Sequence, residues 1–217
     1  MDNCKSIIID IGKRMYAAGF VAANDGNISI KTSDNEIWAT PSGVSKGYMT
    51  EDMLVKVDIN GNVLEGDRRP SSEIKMHLRA YKENPELKCV CHAHPPIATA
   101  FGVAGISMNE PIISETVLTL GCVPVVPYVE LGTDRVADAI APYCKSHGGV
   151  MLANHGAVTW AEDPYTAYYR LESMEHYGKI YMYTKTLGNS NCLTATDVDA
   201  LIKQREKFGI HITARPV

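Results

Sequence analysis

Two imidazoles separated by one residue in His92-Ala93-His94, and a third inside Asn154-His155-Gly156, are the side chains here best suited to hold a metal ion. Alternate residues of a strand project from one face, so His92 and His94 point the same way if their segment is extended. A third nitrogen from a distant segment would complete a site with one coordination position open. That is the ligand count of a catalytic zinc, because structural zinc sites are closed by four protein ligands. His-x-His alone is a weak motif. The remaining histidines, His77, His147, His176 and His211, read as structural or solvated, and His77 follows Glu73 at the four-residue spacing of a helical pair.

Three further segments raise the metal reading. Asn24-Asp25-Gly26-Asn27, Thr40-Pro41-Ser42-Gly43 and Arg69-Pro70-Ser71-Ser72-Glu73 each place small residues, backbone N–H groups or hydroxyls at the end of a regular element. Such turns bind anions without lysine or arginine, because unsatisfied amides point at the ligand. Taken singly, each is an ordinary turn or cap. Glu73 falls in the first turn of a helix, where the macrodipole favours its ionised form. It is either a capping carboxylate or a group that moves a proton beside the metal. Glu115, in the poorly patterned segment Glu110–Thr116, is an additional candidate for the cleft.

The elements that position these residues alternate along the chain. Ile7, Ile8, Ile11, Met15 and Ala18 recur at helical spacing, with Asp2 or Asn3 as cap and Gly19 as stop. Strands are expected at 27–31, 36–39, 54–58, 63–65, 89–94, 149–153 and 158–161, with Asn60-Gly61 as a hairpin turn. Helices follow Ser71-Ser72 with Ile74, Leu78 and Tyr81 inward, open at Pro95, run over 134–144 and 164–187, and begin again at Thr196. Cys89 and Cys91 belong to packing. The pattern is a single α/β domain over residues 1–217, with a largely antiparallel central sheet flanked by helices.

The bulk numbers narrow the class. A 217-residue chain with 45% hydrophobic and 21% charged residues is not disordered, and a net charge of −4 with no lysine or arginine block excludes a nucleic-acid binder. Residues 1–20 carry charges through their only apolar run, and no segment has the length and apolarity of a membrane span. The six cysteines lack a Cys-x-x-Cys pair and read as reduced thiols, so a cytoplasmic protein is expected.

Together the motifs Asp25-Gly26-Asn27-Ile28-Ser29, Pro41-Ser42-Gly43, Pro70-Ser71-Ser72-Glu73, His92-Ala93-His94-Pro95 and Asn154-His155-Gly156 resemble the class II sugar-phosphate aldolase and epimerase family, nearest its fuculose-phosphate aldolase branch. The resemblance spans almost the whole chain. It implies a class II aldolase-like three-layer fold, one zinc ion per subunit on His92, His94 and His155, and Glu73 as catalytic acid/base that also touches the metal. It implies that Gly26, Asn27, Ser42, Gly43, Ser71 and Ser72 cradle a substrate phosphate. The implied reaction is reversible cleavage of a ketose 1-phosphate, fuculose or a deoxy-pentulose, to dihydroxyacetone phosphate and an aldehyde. The implied assembly is a homotetramer with active sites at subunit interfaces. The resemblance implies two departures from the branch, with Glu115 and Phe208 standing where that branch carries tyrosines. Rival readings within the family are a pentulose-5-phosphate 4-epimerase and a methylthioribulose-1-phosphate dehydratase. A rival of another class is an adducin-like interaction module, whose mark would be loss of the metal histidines.

Overall fold

The predicted strands line up in one sheet. In the computed structural model, which describes residues 3–130 and 133–217, the strands are β1 (Asn27–Ser33), β2 (Glu36–Ala39), β3 (Val55–Val57), β4 (Val63–Glu65), β5 (Cys89–Ala93), β6 (Val125–Val126), β7 (Gly149–Leu152) and β8 (Gly156–Ala161). Their lateral order is β4-β3-β2-β1-β5-β8-β7-β6. Only β6 and β7 run parallel; the other neighbours are antiparallel.

Strand β5 lies mid-sheet and is buried along its length, which its run of Cys, Val and Ala permits. Its alternation divides two cores. Cys89, Cys91 and Ala93 face a layer made by α1 (Cys4–Ala17), α3 (Pro96–Ala104) and α6 (Pro164–Leu187). Val90 faces the opposite layer, made by α2 (Ile74–Glu83) and α5 (Asp134–Ile140). The result is the helix–sheet–helix sandwich expected. Since His92 shares the parity of Val90, it emerges on the side of α2, whose start carries Glu73.

Several boundaries differ from the sequence reading. Glu73 occupies the N-cap position of α2 rather than its first turn, and neither Ser71 nor Ser72 caps it. Pro96, not Pro95, is the first residue of α3. Thr194 rather than Thr196 caps α7 (Ala195–Gln204), through a reciprocal box with Asp197. The helix expected over 134–144 stops at Ile140 and continues as a tight turn through Tyr143, where Pro142 supplies no N–H. The short α4 (Ser114–Thr119) and strand β6 have no counterpart in the predicted set. Asp2, proposed as a cap, lies outside the described residues, and Asn3 makes no side-chain cap bond.

Candidate active site

Backbone register brings the first two functional side chains together. Asn27, the first residue of β1, sits directly across from His92 on β5. His94 lies just past the strand, where its N–H donates to Phe20 O at 2.8 Å. The third imidazole comes from the three-residue turn between β7 and β8. Asn154 there adopts a left-handed conformation (φ 56°), which asparagine tolerates better than most residues. It turns the chain so that His155 returns over β5. Gly156 makes this approach possible. A Cβ there would lie 2.5 Å from Ala93 O and from His94 Cδ2, and 3.3 Å from His92 Cε1.

The three rings converge. Their centroids are 4.6–5.2 Å apart, and one nitrogen from each lies within 4.8 Å of the others. The Nδ1 of His92 donates to Ala157 O at 2.9 Å, and His94 Nδ1 lies 3.5 Å from Asp25 Oδ2. These outer contacts fix the tautomers and leave Nε2 of both rings facing inward, 3.2 Å apart. Burial pushes the His92 imidazole down to about 3 and lowers His94 as well, so both are neutral near pH 7, the form that ligates metals.

Glu73 closes the fourth side. Its Oε2 lies 3.3 Å from His92 Nε2 and its Oε1 lies 3.2 Å from His155 Nε2. Burial raises the affinity of this carboxyl for a proton, but His92, His155 and the hydrogen bond from Asn27 outweigh it and hold Glu73 below the ordinary carboxylate range. Although Oε1 is buried, no donor is well directed at it. An orphaned carboxylate oxygen against three converging imidazoles is the donor set of a divalent cation. The spacing fits too: a tetrahedral site with metal–nitrogen bonds of about 2.0–2.1 Å has ligands about 3.3 Å apart.

Sequence reasoning missed one member of this site. His77 is not paired with Glu73. Fully buried, it bridges β1 instead, with Nδ1 2.7 Å from Ser29 Oγ and Nε2 2.6 Å from Asn27 Oδ1. Asn27 in turn donates from Nδ2 to Glu73 Oε2 at 2.8 Å. Since that amide nitrogen is the donor to Glu73, Oδ1 must accept, and His77 is the Nε2–H tautomer. Thus a fixed amide dipole, locked from behind, aims Glu73 at the imidazoles. Burial pushes His77 down to about 4. Between its unfolded value near 6.5 and that lowered value the unfolded chain binds the extra proton, so stability falls as pH drops through this window. The contribution of His77 is on the order of 3 kcal/mol once the pH is below 4. Denaturant titrations of metal-free protein at pH 7 and pH 4.5 should therefore show a smaller acid-induced loss in His77→Gln than in the parent.

Beside the metal site the three small-residue turns enclose a cavity of about 250 Å³, lined by Gly26, Asn27, Ser42, Gly43, Ser71 and Ser72 together with Glu73, His94 and His155. Gly26 (φ 73°) must be glycine, as a Cβ would meet Val21 Cγ1 at 2.6 Å and His92 O at 2.9 Å. The second and third turns are tied together: Ser42 N donates to Arg69 O at 2.9 Å and Ser71 N to Thr40 O at 3.2 Å. Those two amides are therefore spent on the cradle itself, which leaves its hydroxyls and the amides of Gly43 and Ser72 for an anion.

Two further positions lie away from this cavity. Glu115, exposed in the first turn of α4, faces away from the imidazoles into a separate cavity of about 630 Å³ with Tyr169, Glu172, His176 and Lys179. None of the three imidazoles lines that larger space, whereas His94 and His155 line the smaller one. Phe208 is largely exposed in the turn that follows α7 and lines neither cavity.

Residues 6–182 match the family described as Class II Aldolase and Adducin N-terminal domain. The chain belongs to this family. Among class II aldolase relatives it is 31% identical to a 3-oxo-tetronate 4-phosphate decarboxylase of Haemophilus influenzae, over 91% of this chain and 95% of that protein. It is also 31% identical to a 5-deoxy-D-ribulose 1-phosphate aldolase of Bacillus thuringiensis serovar kurstaki, over 93% and 95%. The solved structure of an L-fuculose 1-phosphate aldolase superposes with a TM-score of 0.87 at 29% identity, covering 96% of this chain and 97% of that one. The class II aldolase fold and its metal-dependent lyase chemistry thus frame the site.

Proposed function

We propose that the protein is a zinc-dependent aldolase that reversibly cleaves a ketose 1-phosphate, fuculose or a deoxy-pentulose, into dihydroxyacetone phosphate and an aldehyde. The observation that carries this reading is the convergence of His92, His94, His155 and the underbonded Glu73 carboxylate beside a hydroxyl- and amide-lined cradle. His92, His94 and His155 would hold the zinc ion, which would supply a Lewis acid for the substrate carbonyl. The turns around Ser42, Gly43, Ser71 and Ser72 hold the phosphate, so binding energy is converted into orientation of the carbon that must react. When the carbon–carbon bond breaks, its electron pair passes to the retained half as an enediolate. The hydroxyl proton of the departing aldehyde passes to water, and Glu73, after taking a proton from water, delivers it to that carbon; in the reverse direction it removes the same proton. The Asn27 amide, donating to Oε2, keeps Glu73 ionised and aimed before substrate arrives.

A second reading has its own support. Loss of carbon dioxide from a 3-oxo-tetronate 4-phosphate leaves the same dihydroxyacetone phosphate enediolate and uses the same cradle and the same proton from Glu73. It needs no group to take a hydroxyl proton from a departing aldehyde. The resemblance implies tyrosines for that task in the fuculose-phosphate branch, where this chain carries Glu115 and Phe208, and the decarboxylase relative is as similar as the aldolase. Epimerase, dehydratase and interaction-module readings have no comparable observation behind them.

Zinc-loaded protein incubated with a panel of ketose 1-phosphates and with 3-oxo-tetronate 4-phosphate decides between the two. Dihydroxyacetone phosphate formed together with an aldehyde supports the aldolase. The same product appearing with carbon dioxide, and only from the oxo acid, establishes the decarboxylase. The reading also includes a cytoplasmic homotetramer of one-domain chains with active sites at the subunit interfaces; sedimentation of the purified protein measures the subunit number.

A further inference from the structure

Lys46 has a task that the site as described leaves open. Its side chain is 1% exposed, although lysines are almost never fully buried unless paired. Among the described residues no carboxylate lies within ion-pair distance of it. Its partners are carbonyls: Nζ donates to Asn24 O at 2.9 Å and to Val44 O at 2.5 Å. Asn24 opens the first cradle turn and Val44 follows Gly43, the last residue of the second. The ammonium therefore ties the two loops together.

The placement is rigid. A Cβ on Gly12 would sit 2.8 Å from Lys46 O, and one on Gly47 would sit 2.5 Å from the Tyr16 ring, so α1 presses directly against this segment. An ammonium has three N–H groups, and two are committed to the carbonyls. Lys46 lines the cradle cavity and is the only lysine or arginine to do so among the described residues. Burial pushes it down to about 8, with Asp25 acting in the opposite direction. A desolvated cation without a carboxylate partner is costly, and an incoming anion relieves that cost.

We propose that Lys46 is both the strut and the counter-charge of the phosphate cradle: it fixes the spacing of the turns around Asn24 and Val44, and it supplies the positive charge that the substrate phosphate meets. It is a positioning and binding residue with no part in moving protons at carbon. The inference rests on the reading of these turns as a phosphate site.

The test uses zinc-loaded protein and calorimetric titration with dihydroxyacetone phosphate, against dihydroxyacetone as control. The parent should bind the phosphorylated compound much more tightly; if it does not, the phosphate reading falls and takes this inference with it. In Lys46→Met the affinity for dihydroxyacetone phosphate should fall by about 10- to 100-fold, the range of a lost charge-assisted hydrogen bond. Zinc content should stay at the parental level, and KM for the phosphorylated substrate should rise more than kcat falls. Parental affinity in a folded Lys46→Met, or loss of zinc along with affinity, overturns the proposal. Should Lys46→Met fail to fold, Lys46→Gln, which keeps a donor without the charge, takes its place. If neither folds, Lys46 is an element of the core alone and the proposal is wrong.

Discussion

His92→Ala is expected to lose metal and turnover together. The ring is fully buried, its Nδ1 is spent on Ala157 O, and its Nε2 lies within 3.3 Å of both His94 and Glu73, so no neighbour can move in to replace it. Two imidazoles and a carboxylate then remain where three imidazoles converged. Loss of the Lewis acid removes several kcal/mol of transition-state stabilisation, and kcat/KM should fall by about 10³-fold or more. Elemental analysis after dialysis checks the metal and a coupled dehydrogenase assay checks the rate. The fold should survive, because the site is one of ligation beside a core that packs without it, and circular dichroism should stay near that of the parent. A variant that keeps zinc and half the activity would remove His92 from the site.

The second large effect is expected for Glu73→Gln. The glutamine keeps the shape of the side chain and can still accept from Asn27, but it has no negative charge and cannot carry a proton between heavy atoms. The three imidazoles remain, so most of the metal should stay. Turnover should drop by about 10²-fold or more, the usual share of general acid–base catalysis. Solvent-deuterium exchange into dihydroxyacetone phosphate isolates the step: the parent should exchange the C–H proton with solvent and the variant should not. Undiminished exchange would assign the proton to another group.

Much of this site was legible because its parts are local. His92-Ala93-His94 shows its strand parity in the sequence, and the Gly, Ser and Pro of the three turns mark the ends of elements. The long helix from Pro164 to Leu187 begins and ends where Pro164 and Gly188 place it. What could not be read depends on register between distant strands. His77 stands four residues from Glu73, a spacing that suggests a helix-surface pair, yet it reaches Glu73 only through Asn27. That link exists because β1 pairs with β5 so that Asn27 falls opposite His92, and no local pattern encodes such a pairing. Lys46 was hidden for a similar reason. A lysine in a turn reads as solvated, and only the packing of α1 against residues 46 and 47 buries it. The direction of Glu115 could not be read because a six-residue helix has too few turns to show which way it faces. Strand β6, with two residues and a parallel partner, is too short to show alternation at all.

The carboxylate of Glu175, reaching across from α6, accepts from Ile97 N and Ala98 N at 2.9 Å each, at the start of the helix that follows His94-Pro95. The amino end of a helix attracts anions, and this one begins two residues beyond a metal ligand. Its appetite for negative charge is already met from within the chain. An anion from outside therefore finds the N–H groups of Ile97 and Ala98 already taken.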